Sequence, residues 1–267
     1  MVPPVYLGQL SFMHLSHRQR CRTAADAGFT AVSLFWPDVV GHRDLGGQVE
    51  ELRRQAADCG IAIAQLELAP MAPSGDRQAY GRLAADIAEV AAQLGCQTIH
   101  GVALDTGLTA EDCAASMAVL AAAAARQGLT CGLEFVPFVS AVESLPEALA
   151  VVAACGASNA GVVLDVLHFL RGGCQWQLLE QLTPQQVVSI QINDAPLARP
   201  VDDYQREAMA LRLLPGRGEF DIHRFVTTLR GNGIATPLTV EVANGGLAAL
   251  PPAEAAQAMM GAVRPYL

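Results

Sequence analysis

The chain has 267 residues, 52% of them hydrophobic and 16% charged, which supplies one large core and is too apolar for a disordered protein. Its net charge of −9 argues against a nucleic-acid surface, because phosphate binding rests on basic patches. All seventeen basic residues are arginines, so Schiff-base aldolase and pyridoxal-phosphate chemistry, which need a lysine amine, are excluded.

Apolar runs of strand length alternate with amphipathic stretches along the chain. The first strand is VYLGQLSF (5–12). The opening MVPPVYLGQL has no basic segment leading into a long apolar one, so no secretory leader is expected. AVSLFW (31–36) is the second strand, and the helical QVEELRRQAADCG, with EELRR as its solvated face, leads to IAIAQLEL (61–68). DRQAYGRLAADIAEVAAQLG is the next helix, before TIHGVAL (98–104). The most apolar helix, AASMAVLAAAAA (114–125), is too short to span a bilayer and is bounded by Asp112 and Arg126. The later strands are LTCGLEFV (129–136), GVVLDVLHF (161–169), VVSIQIND (187–194) and LTVEVA (238–243). In AADAGFT, AADCGIA, AAQLGCQ and AARQGLT a helix ends near a glycine, the residue that enters the left-handed conformation freely, and a buried strand follows.

Eight strand–helix units predict a single (β/α)8 TIM barrel, one domain over residues 1–267. The competing open, doubly wound sheet would carry G-x-G-x-x-G after its first strand, and this chain has none there. Seven scattered cysteines with no C-x-x-C pair suggest reduced thiols in a cytoplasmic protein, mostly as small core residues. Residues 195–220 separate strand seven from its helix by far more than the usual few residues. On the C-terminal face, where barrel active sites are built, that length predicts a lid. Gly216 and Gly218 within it read as turn residues rather than a phosphate cradle.

Asp165 interrupts an apolar run that should be buried on both faces, and an unpaired buried carboxylate is expensive. Glu134 in GLEF, Gln191 in SIQIND and Glu241 in TVEV interrupt the neighbouring strands near the same level. Adjacent strands lie about 4.8 Å apart, so the four side chains can converge inside the rim. Each alone reads equally well as a hydrogen-bonded structural group. Together, three carboxylates would repel one another unless a cation intervened. A divalent metal held by Glu134, Asp165, Gln191 and Glu241 is the economical answer. The oxygen-only set favours Mn²⁺ or Mg²⁺, with Co²⁺ or Zn²⁺ as alternatives. His168 beside such a site is read as a substrate contact, and His14, Trp36 and Glu67 could line the pocket. His223 falls on an outer helix.

GLEF, VVLDVLHF with its D-x-x-H, SIQIND and TVEV, together with RLLPGRGEFDI (212–222), resemble the xylose-isomerase-like TIM-barrel superfamily of sugar isomerases, epimerases and dehydratases. The resemblance implies that Glu134, Asp165, Gln191 and Glu241 are metal ligands and that Glu134 and Glu241 exchange protons with substrate. It makes His168 a catalytic, substrate-contacting group and brings Arg212 to an anionic or hydroxyl group of the substrate. Many members carry histidine where this chain has Gln191; glutamine is typical of hydroxypyruvate isomerases and some dehydratases. The implied activity is isomerisation or epimerisation of a small hydroxycarbonyl sugar or sugar acid through an enediolate. The alternatives are a dehydratase of a cyclic polyol ketone or 3-dehydroshikimate-like acid, and a barrel that only binds sugar. The expected partners are a small sugar or polyol substrate and a second copy of the chain, with no nucleic acid and no membrane. The DNA-repair endonucleases of the superfamily assemble zinc ions with many histidines, and this chain has only six.

Overall fold

In the computed structural model, which describes residues 3–73 and 77–267, eight parallel strands among those residues close into a barrel in sequence order. They are β1 (Val5–Leu7), β2 (Ala31–Phe35), β3 (Ala62–Pro70), β4 (Thr98–Val102), β5 (Thr130–Glu134), β6 (Ala160–Asp165), β7 (Val187–Ile192) and β8 (Leu238–Val240). The ring shuts where Val5 of β1 registers with Leu238 of β8, which rules out the open sheet. Met1, Val2 and Asp76, which entered the leader and helix readings, lie outside the described residues.

The helices form the outer layer. In the first half they are α1 (His17–Ala27), α2 (Trp36–Asp44), α3 (Val49–Asp58), α4 (Arg77–Leu94) and α5 (Ala110–Arg126). In the second half they are α6 (Leu145–Cys155), α7 (Val166–Arg171), α8 (Trp176–Leu179), α9 (Tyr204–Ala210), α10 (Ile222–Gly231), α11 (Gly245–Ala248) and α12 (Pro252–Val263). Alanine-rich α5 lies between α4 and α6 with Ala114, Met117, Leu120, Ala121 and Ala124 buried, so its small side chains let three helices approach closely. Thr109 caps it: its hydroxyl accepts the Asp112 N–H at 3.1 Å, and the Asp112 carboxylate accepts the Thr109 N–H at 3.0 Å. Among the described residues no helix is long and apolar enough to cross a membrane. The seven cysteines are unpaired, and Cys21, Cys96, Cys113 and Cys131 are buried.

The helix-stop pattern is realised at Gly28 and Gly128, with φ of +93° and +72°. Inside the barrel Gly132 has no room for a side chain, since a Cβ there would stand 2.4 Å from a Val188 methyl. A polar layer crosses the interior, where the Gln65 amide donates to Ser189 Oγ at 2.9 Å and Thr239 Oγ1 donates to Gln65 Oε1 at 3.1 Å.

The first and sixth predicted strands end furthest short, five and four residues early, for local reasons. Residues 9–12 form a 3₁₀ turn instead of prolonging β1. Gln9 Oε1 accepts the Phe35 N–H and the Gln9 N–H donates to Ser33 Oγ, both at 2.8 Å, which folds the chain over the end of β2. The run 161–169 stops being strand at Asp165, whose Oδ1 accepts the His168 N–H at 3.0 Å and caps α7. Asp-x-x-His is therefore the start of a helix as well as a pair of candidate functional residues.

Candidate active site

Glu134 and Asp165 are the last residues of β5 and β6, Gln191 is the penultimate residue of β7, and Glu241 directly follows β8. All four are buried at the C-terminal rim. The remaining predicted residues arrive by other routes. His168 lies in α7, three residues beyond Asp165. Arg212 sits between two short antiparallel bridges, Leu211 with Asn244 and Asp194 with Leu213, and its N–H donates to Ala243 O at 3.0 Å. That brace turns the guanidinium into the rim.

The cost of burying Asp165 is offset by three donors. Arg212 Nη1 donates to Oδ2 at 2.6 Å, Asn193 Nδ2 donates to Oδ2 at 3.0 Å, and the His168 N–H serves Oδ1. Burial alone would raise the Asp165 carboxyl, yet Arg212 and His168 together hold it below its ordinary value. The same Arg212 Nη1 reaches Glu241 Oε2 at 3.1 Å, and Arg212 Nε donates to Ala208 O at 2.7 Å. Arg212, expected to meet the substrate, is thus first the internal counter-charge of two expected metal ligands. These carboxylates hold its own pKa above the ordinary arginine value against the opposing effect of burial.

Gln191 Nε2 donates at 3.4 Å both to Glu241 Oε1 and to Glu67 Oε1. Glu67, from the middle of β3, therefore joins the cluster. Burial, with Glu241 and Glu134 nearby, pushes its carboxyl well above the usual range. Glu241 is pushed from 4.5 to about 8 by burial and by Asp165 and Glu134, against the opposing pull of Arg212. Glu134 stands on the far side, with Oε1 at 3.4 Å from His168 Nε2. The other ring nitrogen of His168, Nδ1, is in short contact with the Tyr204 hydroxyl from α9.

Residues 195–220 lie over this rim, where the sequence put them. Glu207 of α9 is buried and paired with Arg171, Nη2 to Oε1 at 2.6 Å. Arg171 also donates to Pro196 O and Leu197 O, each at 2.8 Å. Asp194 accepts the N–H groups of Gly216, Gly218 and Phe220 at 2.9, 2.8 and 3.2 Å, so both glycines are turn residues. Trp36 starts α2 within the apolar core, His14 is exposed after the 3₁₀ turn, and His223 is exposed on α10.

The donor chemistry of the rim fits a hard divalent cation. Glu67, Glu134, Asp165 and Glu241 offer oxygen only, and Arg212 is the cation in contact with Asp165 and Glu241. The buried Gln191 Oε1 and Asn193 Oδ1 have no hydrogen-bond partner, an arrangement that leaves two carbonyl oxygens free for an ion. Among the described residues no three His, Cys, Asp or Glu side chains form a ready-made cage, because Arg212 stands between Asp165 and Glu241 and Gln191 contributes an amide.

Sequence reasoning missed Tyr204 and Asn193 and left Glu67 without a role. Asn193 follows Gln191 by two residues in SIQIND, so strand alternation could have placed both on one side. Tyr204 carried no such signal, because it reaches His168 from 36 residues away through the folded path of α9.

A family model described as xylose isomerase-like TIM barrel matches residues 21–266. Two curated relatives named 3-dehydroshikimate dehydratase are similar to this chain. The one from Pseudomonas aeruginosa is 29% identical over 244 residues, and the one from Pseudomonas putida is 27% identical over 246. Each alignment covers 87% of this chain and 37% of the relative, so the chain spans little over a third of their length. Among solved structures, a xylose isomerase-like TIM barrel/4-hydroxyphenylpyruvate dioxygenase fusion protein superposes with a TM-score of 0.83 at 21% identity, covering 98% of this chain and 42% of that one. The IOLI protein with a bound zinc atom also gives 0.83, at 17% identity, covering 98% and 97%. Likeness at those identities shows the fold.

Proposed function

The chain belongs to the xylose isomerase-like TIM-barrel family, and from that premise we propose that it is a divalent-metal-dependent dehydratase of a cyclic hydroxyketo acid of the 3-dehydroshikimate kind. The observation that carries this reading is that both curated relatives, aligned over 87% of the chain, are named for that reaction. Glu134, Asp165, Gln191 and Glu241 would hold the ion, which when bound supplies Lewis-acid polarisation of the substrate carbonyl.

The chain's own residues divide the remaining work. Glu134 and Glu241, on β5 and after β8, flank Asp165 and Gln191 and approach the substrate from opposite sides. One takes the proton from the carbon beside the ketone. The C–H electrons form a new C=C bond, and the bond to the hydroxyl on the next carbon breaks. That oxygen leaves as water after taking a proton from an acid at the site, and ring tautomerisation gives 3,4-dihydroxybenzoate. His168, in contact with Glu134, holds a substrate oxygen. Closure by residues 195–220 keeps bulk water from the enolate. The isomerase or epimerase indicated first by the motifs uses the same carboxylate pair and differs only in returning the proton to carbon.

Parallel incubations of metal-loaded protein with 3-dehydroshikimate and with a ketose, both in deuterated water, separate the two readings. Water loss yields an aromatic product with near-ultraviolet absorbance, whereas isomerisation or epimerisation of a hydroxycarbonyl sugar incorporates deuterium at the reacting carbon. Absence of aromatic product, together with deuterium exchange into a ketose, would replace the dehydratase with the isomerase.

A further inference from the structure

Tyr204 is 3% exposed, and its phenol sits against His168 Nδ1, itself in a ring 3% exposed. A buried phenol needs an acceptor for its proton. Asp165 Oδ1 is 3.9 Å from the same Nδ1, beyond hydrogen-bond reach, and among the described residues His168 is the hydrogen-bond partner of the Tyr204 hydroxyl. If Nδ1 carried the imidazole proton, that phenol hydrogen would be left buried without an acceptor. With Nδ1 as acceptor, the proton of the neutral ring belongs on Nε2, the nitrogen 3.4 Å from Glu134 Oε1.

Resting on the dehydratase reading for its catalytic consequence, we infer that Tyr204 is a positioning residue: it fixes His168 as the Nε2-protonated tautomer, a hydrogen donor toward the substrate side of the rim, and α9 delivers it only when docked. The docking contact is the buried Arg171–Glu207 pair, reinforced by Arg171 bonds to Pro196 O and Leu197 O. Phe138 meets Tyr204 edge-on at 5.3 Å between ring centres and supports its other side. The segment that closes the site thus also sets the ring that meets the substrate. An open lid leaves His168 free to take either tautomer. The proton on Nε2 makes His168 a donor to a substrate oxygen and leaves proton removal from carbon to the carboxylates.

The test reads the ring nitrogens of His168 by long-range ¹H–¹⁵N correlation in the full-length, substrate-free protein, with the signal assigned by its loss in H168N. The expected pattern in the unaltered protein is the Nε2-protonated tautomer. Tyr204→Phe keeps the ring packing and removes the hydroxyl, so it should give mixed tautomers and lower kcat about 10- to 100-fold, the usual effect of removing a partner that orients a functional histidine, with KM little changed. Arg171→Met should reproduce the mixed pattern by undocking α9. An Nδ1-protonated pattern in the unaltered protein overturns the inference even if no variant folds. So does a spectrum unchanged in Tyr204→Phe. Because the spectra need no substrate, they stand or fall apart from the dehydratase assay.

Discussion

Replacing Arg212 by methionine removes the guanidinium between Asp165 and Glu241 while keeping most of the apolar stem. The guanidinium stands 2.6 Å from Asp165 and 3.1 Å from Glu241, in a residue 2% exposed. At an effective dielectric near 20, a charge pair about 4 Å apart is worth about 4 kcal/mol, and Asp165 contributes that in full. Glu241, with its carboxyl pushed up to about 8, is about half ionised at pH 8 and adds about 2 kcal/mol, about 6 kcal/mol gross. Burying the guanidinium costs several kcal/mol in return, which leaves a net loss of about 3 to 5 kcal/mol, the range seen when one partner of a buried pair is removed. In a protein of this size that lowers Tm by about 6 to 20 °C. The assay is thermal and urea unfolding with chelator at pH 5 and pH 8. The loss is larger at pH 8, because at pH 5 the orphaned carboxylates can take up protons instead. Excess Mn²⁺ should then restore more stability to the variant than it adds to the parent, about 2.7 kcal/mol at a hundredfold excess over Kd. A variant within about 1 kcal/mol of the parent at pH 8 in chelator would refute the assignment of Arg212 as the counter-charge.

Glu134→Gln and Glu241→Gln each keep an oxygen donor but remove the base, so turnover should fall about 10²- to 10⁴-fold while elemental analysis still finds one ion per chain; near-normal turnover in both makes them structural. The Glu241 carboxyl is raised from 4.5 to about 8, so the folded state holds a proton there that the unfolded state releases. The stability linked to it is full below 4.5 and lost as pH rises through 8, at up to about 1.4 kcal/mol per pH unit. Chelated protein should show this decline in urea melts, and Mg²⁺ or Mn²⁺ should flatten it; a pH-independent stability from 5 to 8 counts against the buried acid. Limited trypsin digestion should show the bond after Arg206 becoming protected when a substrate analogue is added, and identical cleavage with and without it argues against closure by residues 195–220.

The alternation of apolar runs with glycine-stopped helices made the barrel legible in the sequence, because burying every strand on both faces leaves a period that turns and helix stops punctuate. Glu134, Asp165, Gln191 and Glu241 were legible for the same reason: a polar side chain in an apolar strand end has few explanations, and the barrel carries all such ends to one face. Strand ends were less legible. Asp165 looked like the middle of a strand because its role as the cap of α7 depends on where the backbone turns. Three features belonged to the tertiary structure alone. Arg212 became the counter-charge of Asp165 and Glu241 because the bridges to Asp194 and Asn244 turn it inward. Glu67 joined the cluster through Gln191, across the barrel from β3 to β7. Tyr204 reached His168 because the buried Arg171–Glu207 pair pins α9 over the rim. Local periodicity records which side chains are buried; which buried charge meets which is decided by loops whose paths leave no periodic trace.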